Sequence, residues 1–132
     1  MGASSTTYLC EFTPEQMRVI RVALDCFSRI GMGQLSAAVD HLSQNNRLSS
    51  KNVNDLREQL KQLEPLATGL PYTGHLGITN STIGEDHKMA WDIMQTLRHC
   101  QAWEEHPGGG WSVDFDKPMK TSTCPLPKVQ VK

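Results

Sequence analysis

Five histidines and four cysteines are the residues of this 132-residue chain best suited to metal or nucleophilic chemistry. His87, His99, Cys100 and His106 fall on one helix or at its end, with His75 a short way ahead of it. Their spacing argues against joint work. His87 and His99 lie twelve residues apart, about 18 Å along a helix, too far to hold one ion. Zinc takes closely spaced ligand pairs, and no such pair and no H-E-x-x-H is present. No metal and no cofactor is expected. Nucleophilic catalysis fares no better. G-x-S-x-G is absent, and His99 and Cys100 are helical neighbours that point in different directions. Of the carboxylate pairs, Glu85-Asp86 reads as helix capping, and Glu104-Glu105 and Asp114-Asp116 as solvent-facing positions. Gly108-Gly109-Gly110 lacks the lysine of a phosphate loop and follows a helix where a phosphate loop would open one. A hydrolase acting on nucleotides therefore ranks below the binding readings, because no base–nucleophile pair can be assembled from the sequence.

The remaining constellation is an anion site. Tyr72, His75, Ser81 and Thr82 sit in a loop that delivers hydroxyls and free backbone N–H groups to the positive end of a helix dipole. Arg18, Arg21 and Arg29 on the first helix could bring positive charge to it, with Trp91 and Arg98 contributed by the helix that the loop opens. Against this, Glu85 and Asp86 already complement the dipole, and the bland alternative is an ordinary cap with solvated arginines. Trp91, Trp103 and Trp111 could stack on a base or close the core; Trp111 is expected in the core, and Trp91 stays open.

These side chains depend on a helical frame. The longest helix should run from Thr82 to Glu105, opened by a Thr82/Glu85 capping box, with Ser81 a competing cap, and closed by Pro107 and the glycines. Met89, Ala90, Ile93, Met94, Leu97 and Ala102 form its apolar face. Thr13-Pro14-Glu15-Gln16 opens a first helix that should stop near Gly31, with Met17, Ile20, Leu24 and Phe27 on one face and Val19, Ala23 and Ile30 widening it. Gly31-Met32-Gly33 is a corner, and helical spacing resumes over Gln34 to Ser43. A third helix, capped by Ser49 or Ser50, should run through Leu63 and end at Pro65. Its narrow stripe of Val53, Leu56, Leu60 and Leu63 suits a surface position or a seam against a second subunit.

The fold expected is mainly α: about four helices in one compact domain over residues 1–132. Residues 1–11 form a frayed start. Trp111 to Asp116 alternates as a short C-terminal β-strand or hairpin, and residues 117–132 form an extended tail. Thirteen basic against fourteen acidic residues leave no basic surplus, which disfavours generic nucleic-acid binding, although a local basic face can hide inside a neutral total. No apolar run reaches the length of a membrane span, and no apolar segment after Met1 suggests a secretory signal. Cys10, Cys26, Cys100 and Cys124 are scattered and read as reduced, mostly buried thiols of a cytosolic protein.

Two stretches carry a resemblance. Ala23-Leu24-Asp25-Cys26-Phe27-Ser28-Arg29-Ile30-Gly31-Met32-Gly33-Gln34-Leu35 resembles small proteins of tailed bacteriophages and prophages. So does Ala90 to His99, followed by Gly109-Gly110-Trp111-Ser112-Val113-Asp114-Phe115. The resemblance brings no catalytic motif. It implies a viral protein acting in the cytoplasm of a bacterial host, counteracting its defence. The expected function is therefore non-enzymatic binding, with a small anionic nucleotide signal sequestered by a homo-oligomer. The alternative is a protein–protein inhibitor or structural adaptor of a phage with no small ligand.

Overall fold

Thr13 starts the first helix as its spacing predicts. The Thr13 hydroxyl accepts the Gln16 N–H at 3.2 Å, and the Gln16 side chain accepts the Thr13 N–H at 3.0 Å. Pro14, whose missing N–H costs nothing in the first turn, then leads α1, Pro14–Gly31. The structure, a computed structural model, describes residues 6–42, 48–71 and 74–132. Three further helices follow: α2, Ala37–Leu42, α3, Ser50–Thr68, and α4, Glu85–Glu105.

α1 and α4 form the central pair and run antiparallel. At one end the Gln101 amide donates to the Pro14 carbonyl; at the other His87 Nδ1 lies 3.0 Å from the Phe27 carbonyl, which can only accept, so the nitrogen carries the proton. Ala90, Met94 and Leu97 are buried on the α4 face that the apolar spacing marks out. The buried apolar set among the described residues is small, completed by Met32, Val39 and Ile83. α2 and α3 lie beside this pair, joined by the ion pair of Arg57 with Asp40 and by buried Glu64, which accepts the Ser36 N–H.

The corner between α1 and α2 is the tightest joint. Gly33 adopts φ +81°, and a Cβ there would stand 2.3 Å from Thr68 at the end of α3. The Met32 carbonyl receives the Leu76 N–H, which ties in the segment ahead of α4.

Several boundaries differ from those that local spacing predicts, each because a distant group intervenes. α2 starts at Ala37, not Gln34: Gln34 is drawn to α1 by Arg29, and the Ser36 N–H is held by Glu64. The expected end at Ser43 lies outside the described residues. α3 does not stop at Pro65 but continues to Thr68, where Gly69 at φ 75° returns its N–H to the Pro65 carbonyl. So near the end of a helix, a proline removes one intrahelical bond only, and contacts of Glu64 and Thr68 with the corner hold the final turn in place.

α4 begins three residues later than expected. The Asn80 carboxamide oxygen accepts both the Thr82 N–H and its hydroxyl, and Glu85 accepts the Thr123 N–H, so neither member of the expected capping box is free. Gly84 takes the cap position without a side-chain bond.

The expected C-terminal strand is absent. Among the described residues there is no strand, and Val113–Phe115 instead form a 3-10 turn whose Asp114 N–H is capped by the Ser112 hydroxyl. An alternating hexapeptide needs a partner to pair with, and none lies alongside. Trp111, expected in the core, is fully exposed as a result. Phe115 packs inward, edge-on to Trp103 with ring centres 5.5 Å apart, and its carbonyl accepts the Trp103 indole N–H.

Beyond the turn, the extended tail returns along α4 to Asp92. This carboxylate, 2% exposed, accepts the backbone N–H and the hydroxyl of both Thr121 and Ser122 at 2.6–2.9 Å. It is the clasp that holds the tail.

Candidate functional site

Two helix faces and the 3-10 turn enclose a cleft of about 240 Å³. Arg21 comes from the middle of α1. Arg98, Gln101, Ala102 and Glu105 come from the last turns of α4, three or four residues apart and therefore on one face. His106, Ser112, Asp114 and Phe115 close the third side. The reversal at Pro107 to Gly110 makes this possible. Gly109 takes φ +83°, and a Cβ on Gly110 would stand 2.5 Å from the Phe115 ring.

The unusual feature of the cleft is its incomplete hydrogen bonding. Among the described residues, three buried side-chain polar atoms have no hydrogen-bond partner: Arg21 Nε, Arg98 Nε and Gln101 Oε1. All three residues line this one cleft. Arg98 Nε is 3.1 Å from Asp114 Oδ1, close enough for an ion pair but outside the alignment of a hydrogen bond. Each such atom costs about 1–3 kcal/mol when nothing answers it. A water, an ion or a ligand group in the cleft would answer them.

The other predicted binding residues divide into groups. Arg18 is solvent-facing and pairs with Glu15 at 3.5 Å. Arg29 is occupied by Asp25 and Gln34, each at 2.9 Å, and its guanidinium carbon stands 6.0 Å from the Trp91 ring centre. His75, Ser81 and Thr82 are exposed in the segment ahead of α4, about 20 Å along that helix from Arg98. Tyr72 lies outside the described residues. Thus Arg21 and Arg98 are brought together, as are Arg29 and Trp91, while the loop residues join neither pair.

Gln101, Ser112 and Asp114 escaped the sequence reading as site residues. The first could have been found, since 98, 101, 102 and 105 share a helix face. Ser112 and Asp114 could not, because the chain reversal that brings them there has no periodic signature.

No group of three or more His, Cys, Asp or Glu side chains capable of holding a metal occurs among the described residues, and none of the described helices is long and apolar enough to cross a membrane. All four cysteines are free thiols. Burial raises the Cys26 thiol, helped by the Asp25 charge, and burial raises Cys100 likewise, helped by Glu104. Cys10 is exposed. A thiol-specific reagent at neutral pH is therefore expected to label Cys10 first, with Cys26 and Cys100 about ten-fold slower or more. Peptide mapping of the labelled protein reads the order directly, and equal labelling of Cys10 and Cys100 would contradict the packing of α4.

No family model, no curated relative and no solved structure matches the chain.

Proposed function

We propose that the protein is a non-enzymatic binding protein that captures a small anionic ligand in the Arg21–Arg98 cleft. The observation that carries this reading is the convergence on one cavity of three buried polar atoms without a hydrogen bond, of which Arg98 Nε has an ion-pair partner in Asp114 and the other two have none. Arg21 Nε asks for an acceptor and Gln101 Oε1 for a donor, so the ligand pairs an acidic oxygen with an N–H or O–H. Phosphate and base groups of a nucleotide meet both requirements, as do the groups of an amino or hydroxy acid. The cavity holds about eight water volumes, somewhat below the usual range for a drug-sized ligand. A mononucleotide-scale group suits it better than a dinucleotide.

In its fuller form the ligand is a nucleotide signal of host defence, and the protein is a phage product that sequesters it as a homo-oligomer in the bacterial cytoplasm. Support for that form is the sequence resemblance of the segments around Phe27, Trp91 and Trp111. A second reading, a protein–protein inhibitor or adaptor, is favoured by a different observation: Tyr8, Leu9, Leu66 and Trp111 are all more than four-fifths exposed.

The decisive variant is Arg21→Leu. It removes an unanswered buried donor, so the free protein should be as stable as wild type or gain up to about 1 kcal/mol. Thermal shift with inorganic phosphate and a panel of mono- and cyclic nucleotides should raise the wild-type Tm by roughly 5–10 °C at a hundred-fold excess over Kd. The variant should lose that rise. No rise with any of these probes, or an undiminished rise in the variant, would refute the cleft as the site.

A further inference from the structure

We propose that Asp114 is an internal competitor for the ligand: its carboxylate occupies Arg98 in the free protein and turns out to water when a ligand oxygen takes its place. The proposal rests on the Arg21–Arg98 cleft as an anion site and adds the residue that sets its affinity. The two arginines lining the cleft differ in state. Arg21 Nε has no hydrogen-bond partner among the described residues. Arg98 Nε faces Asp114 Oδ1 at 3.1 Å.

The quality of that contact marks it as exchangeable. Arg98 Nε makes no hydrogen bond, so charge alone holds the pair. Charge-assisted hydrogen bonds, which need alignment, are the stronger kind. Arg29 shows a settled pair in the same chain: its Nε donates to Asp25 Oδ2 at 2.9 Å, and a second bond runs to Gln34. A ligand oxygen entering the cleft along the Arg98 N–H would gain the alignment that Asp114 lacks.

The turn is built so that the carboxylate can leave by itself. The Asp114 carbonyl accepts the His99 Nδ1 proton at 3.2 Å, and the Asp114 N–H reaches the Ser112 hydroxyl at 3.4 Å. Phe115, next in the chain, is pinned by the Trp103 indole N–H. The backbone therefore stays in place while the side chain rotates. That side chain is 39% exposed and has Arg98 as its one ionic partner among the described residues, so water receives it at little cost. Glu105, the other acid lining the cleft, is exposed and lies about 10 Å further along α4. Solvent screens it at that distance.

Isothermal titration of the full chain with inorganic phosphate tests the exchange. Asp114→Asn removes the charge and keeps the shape, and should tighten phosphate about ten-fold at low salt. The gain should shrink as salt rises. In an Arg98→Leu background, where Arg21 still offers its donor, the same substitution should change affinity by less than about two-fold, because nothing is left to compete for. Asp116→Asn, at an exposed acid outside the cleft, should leave affinity as it is. The Tm of Asp114→Asn without phosphate should fall within about 2 °C of wild type, since a part-exposed pair adds little. If wild type binds phosphate and Arg21→Leu does not, yet Asp114→Asn binds no tighter, the competitor is refuted and the cleft stands. Equal tightening with and without Arg98 would mean general repulsion and would also overturn it. No heat from either wild type or Asp114→Asn up to about 10 mM phosphate would remove the cleft reading and this inference with it.

Discussion

Asp92→Ala is expected to lower the stability of the fold by about 3 kcal/mol, one of the two largest effects of any single change considered. The substitution strips the acceptor from two backbone N–H groups and two hydroxyls at Thr121 and Ser122. The tail can answer them only by leaving α4 for water, which also exposes the face it covers. Asp92→Asn should cost nearly as much, because its NH₂ group would confront donors with a donor. Urea denaturation measures both, with Asp86→Ala as the control on an exposed acid of the same helix. A loss below about 0.5 kcal/mol for Asp92→Ala would mean that the clasp contributes no more than an ordinary solvent-exposed contact does.

The same clasp sets a pH dependence. Burial by itself would raise the Asp92 carboxyl, but the hydrogen bonds from Ser122 and Thr121 outweigh it and hold the group below its ordinary 3.8. Protons therefore bind more weakly to the folded chain than to the unfolded one. The stabilisation is fully present above the unfolded aspartate value of about 3.9, and it declines as pH falls from there through the lower folded value. Glu85, held below its ordinary range by hydrogen bonds from Thr123, acts in the same direction. Between pH 5 and 7 neither group should change stability. Below about pH 4 the wild type should lose stability faster than Asp92→Ala, so their denaturation midpoints converge.

Gly31→Ala is the second large effect, again about 3 kcal/mol. Alanine is ordinarily the better helix former, and by propensity alone this change would stabilise α1. Packing reverses the sign. The added Cβ would stand 2.2 Å from His87 Cγ and 2.6 Å from His87 Cβ, the near end of a side chain that cannot swing clear. That imidazole is fixed by its bond to the Phe27 carbonyl and by its ring contact with Phe27, centres 4.4 Å apart. Relief requires the C-terminus of α1 and the N-terminus of α4 to separate. A double-mutant cycle with His87→Gly, which removes the Cβ as well as the ring, should recover most of the loss, since the clash needs both groups. Additive effects, or a loss under about 1 kcal/mol, would contradict so close an approach.

These two sites differ in how readable they were. The Gly31 corner was visible as a short joint between helices, but nothing local names His87 as its neighbour. Asp92 carried a faint signal, an acid set among the apolar positions Ala90, Ile93, Met94 and Leu97 of α4. Thr121-Ser122-Thr123 is the matching run of donors, but its distance in sequence hides the pairing. The cleft was half readable: Arg21 and Arg98 stood among the proposed anion ligands, whereas Ser112 and Asp114 reach it only through the reversal at Pro107 to Gly110.

Features that close within a few residues follow from local sequence alone. The Thr13/Gln16 box, the end of α4 before Pro107 and the buried Ala90–Met94–Leu97 face all rest on bonds or periodicities spanning a turn or two. No distant group competes for their partners. The tertiary structure decided the rest wherever a remote acceptor or neighbour outbid a local one. Thr123 took Glu85 from its expected cap, and the corner at Gly33 carried α3 past Pro65. The want of a partner strand turned Trp111 outward. Local preferences are worth about a kilocalorie each, and a buried acceptor or a tight contact between helices is worth enough to overrule them.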